Sequence, residues 1–275
     1  MAAVHDACLG SGFFVAVGHG LDRLVDAAFA AMHALFALPQ VDKERVAMVD
    51  RRGYVPRAAD RLDPSLHGAP MEYYDVGLDG PNPWPPLDGF EGALRAYQQG
   101  ALQVAADLLR AMATGLDLEE QFFADRMHDP ECFLRFMHYR PDPANGASER
   151  RVLTDAHTDY GAITLLATDG VGGLEVCPRG DTWTPVVAPP GSLVVNLGDM
   201  LARWTNLRYA STPHRVVAPT DAHRYSIPFF VNPDRDTVVR CIPSCVTDSD
   251  PCRFEPVTAG EFLAQRIADG GYMES

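Results

Sequence analysis

The hydrophobic rhythm of the chain changes about halfway along, and the change predicts where helices give way to strands. From Leu21 to Leu38, apolar residues recur at helical spacing (Leu24, Val25, Ala28, Met32, Leu35, Phe36) until Pro39 ends the run. A longer stripe of the same period covers 90–116 through Leu94, Tyr97, Ala101, Val104, Ala105, Leu108 and Met112, with Gly115 as its stop. Ahead of the first stripe, Phe13-Phe14-Val15-Ala16-Val17 reads as a short strand closed by Gly18-His19-Gly20. Residues 51–90 are rich in Gly and Pro and predict irregular structure or short strands wrapped over the surface. From Phe133 onward the period moves toward two, in runs such as 163–166, 174–176, 193–195, 215–217 and 225–231. Turn signals at Pro141, Gly172-Gly173, Pro178 and Pro189-Pro190-Gly191 separate them, a pattern that predicts a barrel or double sheet. A last helix is expected over 258–268.

Composition narrows this to one domain. The 275 residues are 47% apolar and carry no repeat, so the economical division is a mainly helical part over 1–130, a β core over 131–241 and a C-terminal segment with a helix over 242–275. Lys+Arg 23 against Asp+Glu 37 gives a net charge of -14, which repels a phosphate backbone or an anionic bilayer. Nucleic acid and membrane are therefore not the expected partners. No apolar run of about 18 residues and no basic leader are present, so a soluble, cytoplasmic protein is expected, as a monomer or weak homo-oligomer. Cys241, Cys245 and Cys252 lack zinc-ligand spacing and, like the other three cysteines, read as ordinary thiols.

The candidate chemistry lies in the β half. His157-Thr158-Asp159 precedes a predicted strand, and in extended chain residues i and i+2 face the same way, so both side chains can reach one metal ion. His214, on a neighbouring strand, can supply a third ligand. Two imidazoles and one carboxylate are the donor set of a non-haem ferrous site with open positions. The triplet alone is weak, since about one His-x-Asp is expected by chance in a chain of this make-up. A second signal supports it: Arg224 and Ser226 share a strand face and together make a plausible carboxylate clamp. A metal beside such a clamp suggests an organic acid co-substrate.

Several blocks in order resemble the isopenicillin N synthase-like group of iron(II)/2-oxoglutarate-dependent dioxygenases: Gly12–Gly20, Leu134–Tyr139, Ala156–Leu166, Gly172–Val176, Val195–Asn206, Ser211–Val217 and Arg224–Phe230. The resemblance spans nearly the whole chain. It implies a mainly β fold with flanking helices, a double-stranded β-helix (jelly roll) core with helices packed on one sheet. It further implies Fe(II) on His157, Asp159 and His214, the distal carboxylate of 2-oxoglutarate on Arg224 and Ser226 with help from Tyr139, and O2 as oxidant. The implied reaction is oxidation of an unactivated C–H bond of a small molecule, with release of succinate and CO2, in specialised metabolism. A carboxylate at Asp159 favours hydroxylation, desaturation or ring closure over halogenation, which in related enzymes goes with a small residue there.

Two other readings remain open at this point: an isopenicillin N synthase-type oxidase that uses O2 without 2-oxoglutarate, and a non-catalytic small-molecule-binding protein on the same scaffold. Substrate contacts are expected from Tyr54, Arg57, Met71, Tyr73, Phe133, Arg135, Trp204 and Phe230. Arginines facing the metal would suit an anion, and aromatics a ring system. Asn196, Gly198 and Asp199 match the family, yet are as well explained by backbone hydrogen bonding in a turn. Relatives carry a further strand ahead of the first helix, so a weakened edge is expected near 13–17.

Overall fold

Apolar stripes of period 3.6 can be buried only as helices, and the computed structural model, which describes residues 2–56, 71–78, 80–141, 150–178, 182–219 and 222–269, has helices at both stripes. After a short helix α1 (Ala2–Leu9), α2 (Asp22–Ala37) buries Ala28, Met32, Leu35 and Phe36 and stops where Leu38 turns extended ahead of Pro39. A one-turn helix α3 (Gln40–Glu44) follows. The long α4 (Phe90–Gly115) buries Leu94, Tyr97, Ala101, Ala105, Leu109 and Met112. Two more helices, α5 (Asp199–Trp204) and α6 (Ala259–Asp269), lie in the C-terminal half.

The strands form two antiparallel sheets. The larger has the order β1 (Phe13–Ala16), β9 (Leu193–Leu197), β6 (Ile163–Thr168), β11 (Arg224–Val231), β4 (Phe133–Tyr139), β3 (Met71–Gly77) and β2 (Gly53–Val55). The smaller runs β5 (Arg150–His157), β10 (His214–Pro219), β7 (Leu174–Val176) and β8 (Thr184–Pro185), and a two-stranded ribbon joins β12 (Val238–Val239) to β13 (Val257–Thr258). This is the jelly-roll core, with the helices on one sheet. Alternation along β4 makes the layering visible: Leu134 and Phe136 join α2 and α4 in the main core, whereas Met137 and Tyr139 pack with Leu153 and Val216 of the smaller sheet. β1 is an edge strand paired only with β9 among the described residues.

One expectation needs correction. Part of the Gly- and Pro-rich stretch 51–90 is not a surface wrapping: β3 is buried at all seven positions and pairs along its whole length with β4. Its charges are buried because each has partners. On the helix side, Glu72 accepts hydrogen bonds from Lys43 Nζ (2.7 Å), Tyr54 Oη (2.5 Å), Arg140 Nε (2.8 Å) and His138 Nδ1 (2.9 Å). Burial alone would raise the Glu72 pKa, but the bonds from His138, Lys43 and Tyr54 and the Lys43 charge outweigh it and lower it to about 2. The chain's one lysine, only 1% exposed, thus ties α3 to the sheet.

Candidate active site

His157 is the last residue of β5 and lies directly opposite His214, the first residue of β10, so antiparallel register sets the two imidazoles side by side with ring centroids 4.3 Å apart. The i, i+2 spacing places Asp159 on the same extended strand as His157, but β5 ends at His157 and Asp159 sits in the connection to β6. It still faces both rings, with Oδ1 3.9 Å from His157 Nε2 and 3.6 Å from His214 Nε2. Among the described residues this is the single group of three or more such side chains whose ligand atoms come within 4.8 Å of one another.

The turn is held from behind by α5. The backbone N–H groups of Gly198, Asp199 and Met200 donate to the carbonyls of Ala162, Asp159 and Tyr160 respectively, so the first turn of the helix finds its acceptors in the turn that carries Asp159. A Cβ on Gly198 would run into the Gly161 carbonyl, which explains the glycine by close approach. Asp199 also accepts from Thr158 Oγ1 (3.1 Å) and Ser211 Oγ (2.7 Å).

Protonation states fit a metal ion. His157 Nδ1 lies 2.8 Å from the Asp155 carbonyl and His214 Nδ1 3.2 Å from that of Thr212. A carbonyl only accepts, so each Nδ1 carries a proton and Nε2 is the ring atom turned toward Asp159. Burial, with the His157 charge beside it, lowers the His214 pKa to about 4, which keeps that ring neutral at physiological pH. For Asp159, burial acts to raise the pKa, but the neighbouring histidines and hydrogen bonds from Asn196 and Thr164 prevail and lower it. Those bonds, from Asn196 Nδ2 (2.7 Å) and Thr164 Oγ1 (2.5 Å), both go to Oδ2. Oδ1 alone is left facing the two rings. Two imidazole nitrogens and one carboxylate oxygen on a shared face match the donor set of a non-haem Fe(II) centre.

The same cavity holds the candidate clamp, Arg224 and Ser226. Arg224, 2% exposed, donates from Nε to the Gly172 carbonyl (2.8 Å) and from Nη1 to Ser226 Oγ (3.3 Å), with its guanidinium 5.0 Å from the Tyr139 ring. No carboxylate among the described residues pairs with it, so a buried cation faces the cavity with its charge unbalanced. Tyr139 Oη lies 2.8 Å from Thr154 Oγ1. Phe13, Leu166, Leu174 and Val216 supply apolar walls.

The remaining candidates divide. Arg135 and Phe230 line the cavity, and Phe133 stacks on Phe230 with centroids 4.4 Å apart. Arg135 is held in a bidentate pair by Asp75, 2.8 Å at each contact, and lies 4.3 Å over the Tyr73 ring. Met71 and Tyr73 pack between the sheets. Tyr54 is opposite Tyr74, on the helix side, with its hydroxyl on Glu72, and does not line the cavity. Trp204 packs on Phe122 and Phe123 away from the cavity, and Arg57 lies outside the described residues. Phe13, Thr154, Thr164 and Asp75 were not singled out by sequence, and Asn196 does more than serve a turn.

A fold of two facing sheets with a two-histidine, one-carboxylate face and a buried arginine beside it defines the class of mononuclear non-haem oxygenases. Comparison with known proteins makes the family explicit. The model of the 2OG-Fe(II) oxygenase superfamily matches residues 130–233, and that of the non-haem dioxygenase in morphine synthesis N-terminal region matches 1–91. A 2-oxoglutarate-Fe(II) type oxidoreductase of Aspergillus fumigatus is 33% identical over 96% of this chain and 85% of its own length. A 2OG-Fe(II) oxygenase family protein of Caulobacter crescentus superposes with a TM-score of 0.89 at 35% identity, covering 97% of this chain and 92% of that one. A Neurospora crassa protein solved with alpha-KG and thymine gives a TM-score of 0.82 at 28% identity over 97% and 90% of the two chains. The chain belongs to the 2OG-Fe(II) oxygenase superfamily and is an oxidoreductase of the 2-oxoglutarate-dependent dioxygenase type.

Proposed function

We propose that His157, Asp159 and His214 hold the Fe(II) of this family, that Arg224 and Ser226 bind the distal carboxylate of 2-oxoglutarate beside Tyr139, and that the substrate is a neutral, planar small molecule seated near Arg135 and Phe230. The observation that carries the co-substrate assignment is the unbalanced buried charge of Arg224 in the cavity of the triad. A carboxylate there would satisfy a guanidinium that otherwise has only a carbonyl and a hydroxyl. Iron, 2-oxoglutarate and O2 together supply the power to oxidise a substrate C–H bond, with succinate and CO2 released.

The chain's own residues do the placing. Asn196 and Thr164 occupy Oδ2 of Asp159 and leave Oδ1 for the ion. The Asp155 and Thr212 carbonyls fix both imidazoles with Nε2 inward. Phe13, whose ring meets that of His214 edge-on at 5.4 Å, and Leu174 keep water from the metal face. Pairing with Asp75 cancels the Arg135 charge, which favours a neutral ring on the Phe133–Phe230 stack over an anion. Residues 1–275 act as one dioxygenase domain, monomeric or weakly self-associating. The net charge of -14 keeps nucleic acid and anionic lipid from being partners.

The test is to add 2-oxoglutarate to the Fe(II)-loaded protein without oxygen and record the visible spectrum. A charge-transfer band that is weakened in Arg224→Met supports the assignment. No band at full iron loading refutes it and favours an oxidase that works without 2-oxoglutarate. Succinate release that depends on an added substrate excludes a merely binding role.

A further inference from the structure

Away from the cavity, the segment that follows β12 folds back around Asn206, which has a left-handed φ of 54° just beyond α5. Asn206 Nδ2 donates to the carbonyls of Cys245 (3.4 Å) and Pro251 (3.2 Å), and its Oδ1 accepts from Arg253 N–H (3.0 Å) and the Cys241 thiol (3.6 Å). This wrapping brings two thiols to one carbonyl oxygen. Cys252 Sγ donates to Phe254 O at 3.2 Å and Cys241 Sγ reaches the same oxygen at 3.9 Å. Of the two, Cys252 is exposed and Cys241 buried. Cys245 points instead into the main core.

We infer that Cys241 and Cys252 are a peroxide-sensitive pair that closes to a disulfide, with Cys252 as the attacking thiol and Cys241 as the resolving one. The asymmetry of the pair supports these roles. The Cys241 side chain beside it lowers the Cys252 pKa, whereas burial raises that of Cys241. In the first step the Cys252 thiolate attacks a peroxide, the O–O bond breaks, and one oxygen stays on sulfur as sulfenic acid while the other leaves as water. The Cys241 sulfur then displaces the second water from the sulfenic sulfur, and the S–S bond forms. Two thiols give up two electrons and two protons, and one hydrogen peroxide becomes two waters. The bridge closes residues 241–252 into a ring and trades the Cys241 contact with Asn206 for a covalent tie on the segment that wraps α5.

The experiment treats the full chain with hydrogen peroxide in the absence of reductant, blocks remaining thiols, and digests it with a protease that cuts before Asp. Cleavage ahead of Asp236, Asp248, Asp250 and Asp269 separates peptide 236–247 from peptide 250–268. The expected result is a joined pair of these peptides, lighter by two hydrogens, that persists in Cys245→Ser and disappears in Cys241→Ser, where Cys252 instead goes on to sulfinic acid. The oxidised chain should melt about 6 °C higher than the reduced chain, from closure of a twelve-residue ring. The inference is overturned if no joined peptide forms, or if the joined peptide survives Cys241→Ser and is lost in Cys245→Ser.

Discussion

Replacing Glu72 by Gln should expose how far the fold depends on one buried carboxylate. The native group is 1% exposed, and Lys43, Tyr54, His138 and Arg140 all donate to it. Glutamine keeps the shape but turns an NH2 toward this crowd of donors and leaves the Lys43 ammonium without its counter-charge. With the native pKa at about 2 against an ordinary 4.5, the carboxylate contributes about 3 kcal/mol at neutral pH. That agrees with the lower end of the roughly 3–5 kcal/mol for breaking a buried pair from one side. Because the folded pKa lies below the unfolded one, the contribution is complete above the unfolded value and is lost as pH falls from about 4.5 toward 2. Urea unfolding at pH 7 should show the midpoint of Glu72→Gln lower by about 1 M. Repeated at pH 3, the gap between variant and native chain should shrink to about half. A gap below about 1 kcal/mol at pH 7, or one that stays constant down to pH 3, would refute the reasoning.

Three further outcomes follow from the cavity. Asn196→Ala removes one of two donors on Asp159 Oδ2, and Fe(II) titration should show affinity lower by about 10- to 100-fold with the fold intact by circular dichroism. Arg224→Met removes the charge proposed to face the co-substrate and should raise the KM for 2-oxoglutarate by about 100-fold, with a much smaller change in kcat at saturation. Asp75→Asn leaves the Arg135 charge uncompensated, so succinate release should shift toward carboxylate-bearing substrates; an unchanged preference would mean that Arg135 does not face the substrate.

The parts of the fold that sequence reveals are those whose pattern is local. The stripes of α2 and α4 and the short runs of the jelly roll are visible because burial there follows a fixed period. β3 escapes because Glu72 and Asp75, facing opposite sides of a buried strand, interrupt the alternation. Their partners come from α3, β2, β4 and Arg140, distant in sequence. The triad is legible because His157, Asp159 and His214 are chemically distinctive. Thr164 and Asn196 are ordinary residue types until β6 and β9 bring them to Oδ2. Tyr54 shows the reverse error: it is chemically suggestive, but pairing with Tyr74 turns it to the helix side, and only register decides that.

The three candidate ligands are not drawn from one sheet. His157 and His214 belong to the smaller sheet, whereas Asp159 is anchored through Thr164 and Asn196 to the larger one. An ion held by all three is therefore a rivet through both layers, and its binding energy is shared with the closure of the sandwich at that end. Loading the metal should slow amide exchange in β5 and β10 more than in α4, so that this end of the sandwich tightens as the reactive centre is assembled.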